Sequence, residues 1–101
     1  MPVVELNISR LQKLVGKNTN KKQILDRLPF LGLDIESLGR NTVRVEYSPN
    51  RPDYSTDFGI ALGLQGILGI NKGMLRLNVR NQGNYEIRVD SSTSKIRPFV
   101  T

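Results

Sequence analysis

The spacing of apolar residues changes twice along this chain, and that change constrains the fold more than any other feature. Ile8, Leu11, Leu14 and Val15, then Ile24, Leu25 and Leu28, recur three and four residues apart. Leu33, Ile35 and Leu38, then Val43 and Val45, alternate with polar residues instead. From Ile60 through Ala61, Leu64, Ile67 and Leu68 the helical spacing returns. A period near 3.6 belongs to a helix with one buried face, and a period of two to a half-buried strand. The predicted order is helix, helix, β-hairpin, long helix, which is an α+β domain with about three helices.

Punctuation residues set the expected boundaries. Val3–Leu6 reads as a brief strand before a helix from Asn7 to Gly16, with Ser9 as its amino-terminal cap and Gly16 in the left-handed conformation that stops it. Thr19 or Asn20 caps a second helix that Pro29 breaks at Leu28, with a further turn through Phe30 and Leu31 before Gly32. Gly39-Arg40-Asn41 forms the hairpin turn. The long helix runs from about Ser55 to Leu68 and ends at Gly69. Gly59, Gly63 and Gly66 lie inside it, each costing up to about 1 kcal/mol relative to Ala, so close packing or tertiary support is expected there. Beyond Gly73 the pattern is strand-like at Met74–Val79, Tyr85–Val89 and Arg97–Thr101, with a turn at Gln82-Gly83-Asn84. This divides the chain into a helical and hairpin module, residues 1–73, and connecting strands, residues 74–101, the last of which opens a domain that continues further.

Composition removes several function classes. The 101 residues contain no Cys and no His, so disulfides, thiol catalysis, imidazole bases and Cys- or His-ligated metals are excluded. A chain this short also buries too little surface for a deep catalytic pocket of its own. No apolar run approaches the roughly 18 residues of a membrane span, and Met1-Pro2-Val3-Val4 does not resemble a secretory leader. The chain reads as soluble and cytoplasmic.

Fifteen Lys and Arg against nine Asp and Glu give a net charge of +6, a sign that favours a polyanionic partner. The charge is lobed. Residues 10 to 27 hold Arg10, Lys13, Lys17, Lys21, Lys22 and Arg27 against Asp26 alone, residues 28 to 69 are net −2, and residues 70 to 101 are net +4. Arg10, Lys13, Lys17, Lys21 and Lys22 are the candidate contacts to RNA phosphate; the competing reading is an ordinary solvated face. The run Asn50-Arg51-Pro52-Asp53 precedes the long helix. There Asp53 is placed to cap the helix and Arg51 to pair with a carboxylate or backbone carbonyl. Alternatively, Arg51 and the helix amino end form a phosphate-binding corner. Asp34, Glu36 and Glu46 form the one trio of carboxylates that could gather around Mg2+, but a solvated face paired with Arg40 and Arg44 explains them as well. The six aromatics are scattered, with no stacking platform for single-stranded nucleic acid. No Gly-rich phosphate loop is present, and no residue pattern is assigned to catalysis or to a metal.

The run from Val45 to Ala61, with Asn50-Arg51-Pro52-Asp53 at its centre and the Gly59-Ile60-Ala61 step, closely resembles a passage of the phenylalanyl-tRNA synthetase β subunit. Leu68-Gly69-Ile70-Asn71-Lys72-Gly73 is similar to that family's exit from the helix, and Ile96-Arg97-Pro98-Phe99-Val100 to the strand opening its next domain. Met1–Val4 and the two-helix opening suit the archaeal and eukaryotic type. The family has an apolar residue such as Leu where this chain has Tyr54.

The resemblance implies an amino-terminal module with a winged-helix-like, DNA-binding-domain shape, followed by an editing domain beginning near Ile96. It implies a parent α2β2 ligase that attaches phenylalanine to tRNA with ATP and Mg2+, whose aminoacylation site lies in the α subunit. No residue here matches either catalytic motif, so the chain is expected to be inactive alone: a scaffold and an auxiliary tRNA contact. The alternatives are a freestanding basic nucleic-acid-binding module or a protein-interaction module.

Overall fold

The fold is taken from a computed structural model that describes residues 1–16, 18–80 and 83–96. Its elements are β1 (Val3–Asn7), α1 (Ile8–Val15), α2 (Lys21–Arg27), β2 (Asp34–Leu38), β3 (Thr42–Glu46) and α3 (Asp57–Ile67), with 3-10 turns at Leu28–Leu31, Pro52–Ser55 and Ser91–Thr93. The three strands form an antiparallel sheet in the order β1-β3-β2, with Val4 opposite Val45 and Leu6 opposite Val43. The architecture is α+β, three helices over one open sheet.

The core lies between the sheet and the helices. Leu6, Val43 and Val45 line the sheet's inner face, and Ile8, Leu11, Val15, Ile24, Ile60 and Leu64 meet them from the helices; all are essentially inaccessible to water. Leu28, Leu33 and Tyr54 close its rim. Glu5 and Arg44 stand opposite one another on the outer face, which alternation along the strands leaves to solvent.

Helix α1 follows β1 without a loop, and this moves its cap. Asn7, the extended last residue of the strand, accepts from Arg10 N at 2.9 Å. Ser9, the expected cap, is already in the helix, and its hydroxyl donates to Asn41 Oδ1 at 3.0 Å. Gly16 ends the helix with φ 83° and ψ −172°, a positive φ that favours glycine but is not the left-handed helical conformation expected. In α2, Asn20 forms a reciprocal capping box with Gln23: Gln23 N donates to Asn20 Oδ1 at 2.8 Å and Asn20 N to Gln23 Oε1 at 3.0 Å. Pro29 does not expel Leu28 from helical geometry, as expected of it. Leu28 keeps φ −51° and ψ −44°, and the chain tightens into a 3-10 turn that Gly32 closes at φ 79°.

The hairpin carries a β-bulge between Ile35 and Ser37, with Glu36 the extra residue. Its trace is visible in the sequence, since Leu33 and Ile35 are odd-numbered and Leu38 is even. A strict period of two cannot put all three on one face; the extra residue returns Leu38 to the face of Ile35, opposite Val43, although at the strand's end it stays 59% exposed.

After Gly73 the structure departs from expectation. Residues 74–79 and 85–89 form no strand, and Met74, Leu75, Leu77, Val79, Tyr85, Ile87 and Val89 are all exposed. Alternating apolar residues favour a strand only when a neighbouring strand supplies hydrogen bonds and a surface buries the face. Among the described residues neither is available. Gly83 has φ 66°, as a turn would have it, but Gln82 and the strand expected at 97–101 lie outside the described residues.

Candidate nucleic-acid interface

The Asn50–Asp53 run builds a turn rather than a helix cap. Arg51 N donates to Ser48 O at 2.9 Å, and Tyr54 N donates to Arg51 O at 3.0 Å. Pro52 opens the 3-10 turn Pro52–Ser55, where its fixed φ costs nothing. The Arg51 guanidinium grips Asp53 with two hydrogen bonds, 3.0 and 2.7 Å, while its central carbon lies 3.9 Å from the centre of the Tyr54 ring. That pairing holds the Asp53 carboxyl below its ordinary value and raises the Arg51 guanidinium. Tyr54 is only 4% exposed.

Asp53 therefore does not cap α3. Thr56 does, in extended conformation at φ −129° and ψ 152°, its hydroxyl accepting from Gly59 N at 3.3 Å. The 3-10 turn occupies the residues assigned to the first helical turn, and Thr56 breaks the helical path between the two. Gly59 explains the arrangement, since a Cβ there would overlap the Asp53 carbonyl. Gly63 is nearly as tight, its Cβ position lying 3.1 Å from both a Leu31 methyl and the Tyr54 hydroxyl. These two glycines fit the close packing expected of them. As for a phosphate corner, Arg51 is committed to Asp53 and Tyr54, and the first turn of α3 already carries the carboxylate of Asp57.

The structure divides the candidate phosphate contacts. Arg10 turns toward α3 and pairs through Nε with Asp57, tying the two helices together. Lys21, Lys22 and Lys13 are exposed. Lys21 Nζ donates to the Arg40 carbonyl at 3.1 Å, which joins the start of α2 to the hairpin turn. On the other side of that turn, Ile8 N donates to Asn41 O at 2.8 Å, beside the Ser9–Asn41 bond. A cleft of about 460 Å³ opens between Ser9, Gln12 and Lys13 of α1 and Gly16, Asn18 and Thr19 of the following loop. Gln12 Nε2 braces it by donating to Thr19 O at 2.9 Å. Lys17 lies outside the described residues.

Arg40 is the residue that sequence reasoning misplaced. Paired there with the hairpin carboxylates, it instead forms no ion pair among the described residues, and the turn sets it beside Lys21. Arg44 takes the carboxylates, reaching Glu36 at 3.0 Å and Glu5 at 3.7 Å, and the bond to Glu36 raises its guanidinium. The signal for Arg40 was its place in the turn of a short hairpin, where its side chain is exposed. Among the described residues, no three Asp, Glu, His or Cys side chains gather where they could hold a metal ion, and no helix is long and apolar enough to cross a membrane.

Comparison with known proteins decides the relationship. A phenylalanine–tRNA ligase beta subunit of Archaeoglobus fulgidus is 43% identical over 100 residues, covering 99% of this chain. The corresponding subunits of Methanothrix thermoacetophila and Methanosphaera stadtmanae are 40% and 35% identical, each again over 99% of the chain. The chain belongs with the amino-terminal region of these beta subunits. It spans about 18% of the length of each of these three relatives. No family model and no solved structure matches it, so the winged-helix likeness stays an implication of the resemblance.

Proposed function

We propose that this chain is the amino-terminal module of the β subunit of a phenylalanine–tRNA ligase. The parent enzyme would be a cytoplasmic α2β2 complex that attaches phenylalanine to its tRNA with ATP and Mg2+. The observation that carries the reading is the match over 99% of the chain to archaeal subunits of that name, at 31–43% identity. In this reading the module itself is a non-catalytic scaffold. It has no Cys or His to act as nucleophile or imidazole base, and in this reading ATP and Mg2+ are bound by the parent complex. Residues 74–101 lead into the next, editing domain of the subunit.

The module's own contact with tRNA runs over Lys13, Lys21, Lys22 and Arg40, with Arg10 withdrawn into its pair with Asp57. No aromatic platform accompanies them, so the contacts are to phosphate and carry little sequence preference. Four such contacts give a log–log salt slope of about −3 to −4.

Two measurements test this. The longer subunit, co-expressed with its α partner, is expected to co-purify and charge tRNA with phenylalanine, while the 101-residue chain alone does neither. Charging by the isolated chain, or failure of the longer subunit to bind α, would overturn the assignment. For the tRNA contact, Lys13→Glu, Lys21→Glu and Arg40→Glu together are expected to abolish low-salt tRNA binding by the module and leave its circular dichroism unchanged. Binding equal to that of the parent would make these residues a solvated face.

A further inference from the structure

The helix α3 is apolar around most of its circumference, its only polar residue beyond the first being Gln65, whose amide donates to the Leu14 and Val15 carbonyls of α1. Its sequence, Asp57-Phe58-Gly59-Ile60-Ala61-Leu62-Gly63-Leu64-Gln65-Gly66-Ile67, has one charged residue, and that residue is paired with Arg10. Helices of this kind are buried on both sides in their working state. Here only one side is covered, by Ile60, Ala61 and Leu64 facing the core. On the other, Phe58, Leu62 and Gly66 fall at i, i+4 and i+8, one stripe along the surface. Phe58 is 57% exposed and Gly66 is open to solvent.

Gly66 is the informative residue of the three. Gly59 and Gly63 are each accounted for by an atom that a Cβ would strike, but a Cβ at Gly66 would meet nothing within 4 Å. A glycine inside a helix, with no positive φ and no close neighbour, weakens that helix without return inside this fold. Close approach by an element from outside accounts for it, and the flanking Phe58 and Leu62 give that element an apolar seat.

We infer that the Phe58–Leu62–Gly66 face of α3 is the docking surface for the part of the same β subunit that follows residue 101. This rests on the reading of the chain as the opening module of a longer subunit. Three observations favour that occupant. The curated relatives carry this region as about 18% of one continuous chain, at its amino-terminal end. The polypeptide leaves the module along this same face, where Leu62 and Gly66 share a cleft of about 690 Å³ with Asn71, Met74, Leu75 and Arg76. Beyond it, Leu77, Val79, Ile87 and Val89 are a further supply of apolar side chains exposed for want of a partner. A covalently linked neighbour also acts at an effective concentration near millimolar, which a second copy does not reach at ordinary expression levels.

The absence of Cys from this sequence makes the test direct. Leu62→Cys and Phe58→Cys are made singly, with Ser37→Cys on the solvent face of the hairpin as reference, and maleimide labelling is read by peptide mass. In the 101-residue chain Phe58→Cys and Ser37→Cys, at exposed positions, are expected to label at similar rates, and Leu62→Cys, at a half-buried one, more slowly. In the full-length subunit the two α3 sites are expected to slow at least about 100-fold, while Ser37→Cys is unchanged. Full labelling of both sites in the folded full-length subunit would overturn the inference and leave the family assignment standing. Protection already present in the isolated chain, with dimer mass in sedimentation, would assign the face to a second copy instead. Gly66→Leu supplies an independent readout. It is expected to leave the melting temperature of the isolated chain unchanged or higher and to lower that of the full-length subunit; equal effects in the two would contradict the docking.

Discussion

Replacing Gly59 with Ala sets two effects of opposite sign against one another. Ala in a helix interior is favoured over Gly by about 1 kcal/mol, so an open site would gain stability. At Gly59 the new methyl group would overlap the Asp53 carbonyl, with the Asp53 Cα only 3.3 Å away. The neighbour is backbone, held in the 3-10 turn by Tyr54 N on Arg51 O and by the Ser55 hydroxyl on Pro52 O at 2.7 Å. Ordinary overpacking, in which side chains yield, costs about 1–3 kcal/mol. Here the turn itself must move, and it carries Tyr54, whose burial contributes roughly 2–3 kcal/mol, part of which is lost. Setting the propensity gain against both, the expected net loss is about 2–4 kcal/mol. For a domain this small that lowers the melting temperature by about 10 °C or more. Urea unfolding followed by circular dichroism, with an unchanged m-value, reads the difference. A variant as stable as the parent would mean that α3 does not pack on the Asp53 carbonyl, and the account of this turn would be wrong.

Other substitutions test separate parts of the fold. Thr56→Ala is expected to cost about 1 kcal/mol through loss of the α3 cap, visible as a lower urea midpoint. Leu64→Ala, at a fully buried position, is expected to cost about 2–5 kcal/mol, enough to unfold a marginal domain. Asp53→Asn concerns pH. Because the folded carboxyl titrates below its ordinary value of 3.8, its contribution to stability is present above that value and fades as pH falls through the lowered one. The stability difference between parent and Asp53→Asn should therefore be small at neutral pH, since the pair is half-exposed, and vanish in strong acid. A difference that grows on acidification would contradict the Arg51–Asp53 pairing.

Element type was legible wherever a period ran long enough to exclude its rival. Both short helices, the hairpin and the long helix lie where the apolar spacing placed them, because burial of one face fixes period and register together. Caps were read less well, for a consistent reason. Ser9, Asp53 and Asn7 are all competent cap residues, and which of them caps depends on where the chain enters the helix, a matter of one or two residues that spacing does not resolve. Asp53 was the natural choice beside Pro52. But Arg51 stands two residues before it, and a bidentate pair with a guanidinium occupies the oxygens a cap would need. The candidate site was legible as charge and not as geometry. Arg10 and Lys13 are neighbours one turn apart on α1, yet Arg10 is engaged by Asp57 of α3 while Lys13 borders the cleft, a difference set by tertiary neighbours and not by the run itself.

The misreading of residues 74–90 has a different origin. A helix satisfies its own backbone, so an amphipathic sequence can be assigned to one without knowing what surrounds it. A strand completes its hydrogen bonds only against another strand, so its sequence signal is conditional on a partner. Leu75, Leu77 and Val79, and then Tyr85, Ile87 and Val89, carry that signal, and the three-stranded sheet of this module does not extend to them. The same condition applies to α3, whose inner face the module satisfies and whose outer face it does not. The two unsatisfied surfaces meet where the chain leaves α3, at the cleft that Leu62 and Gly66 share with Met74 and Leu75. If the longer subunit covers them together, residues 74–79 and 85–89 in that subunit should show amide exchange slowed as in a paired strand, whereas in the isolated chain they should exchange at rates near those of a solvated peptide. Equal, rapid exchange in both would separate the two surfaces, leaving the α3 face to be covered by an element that these residues do not join.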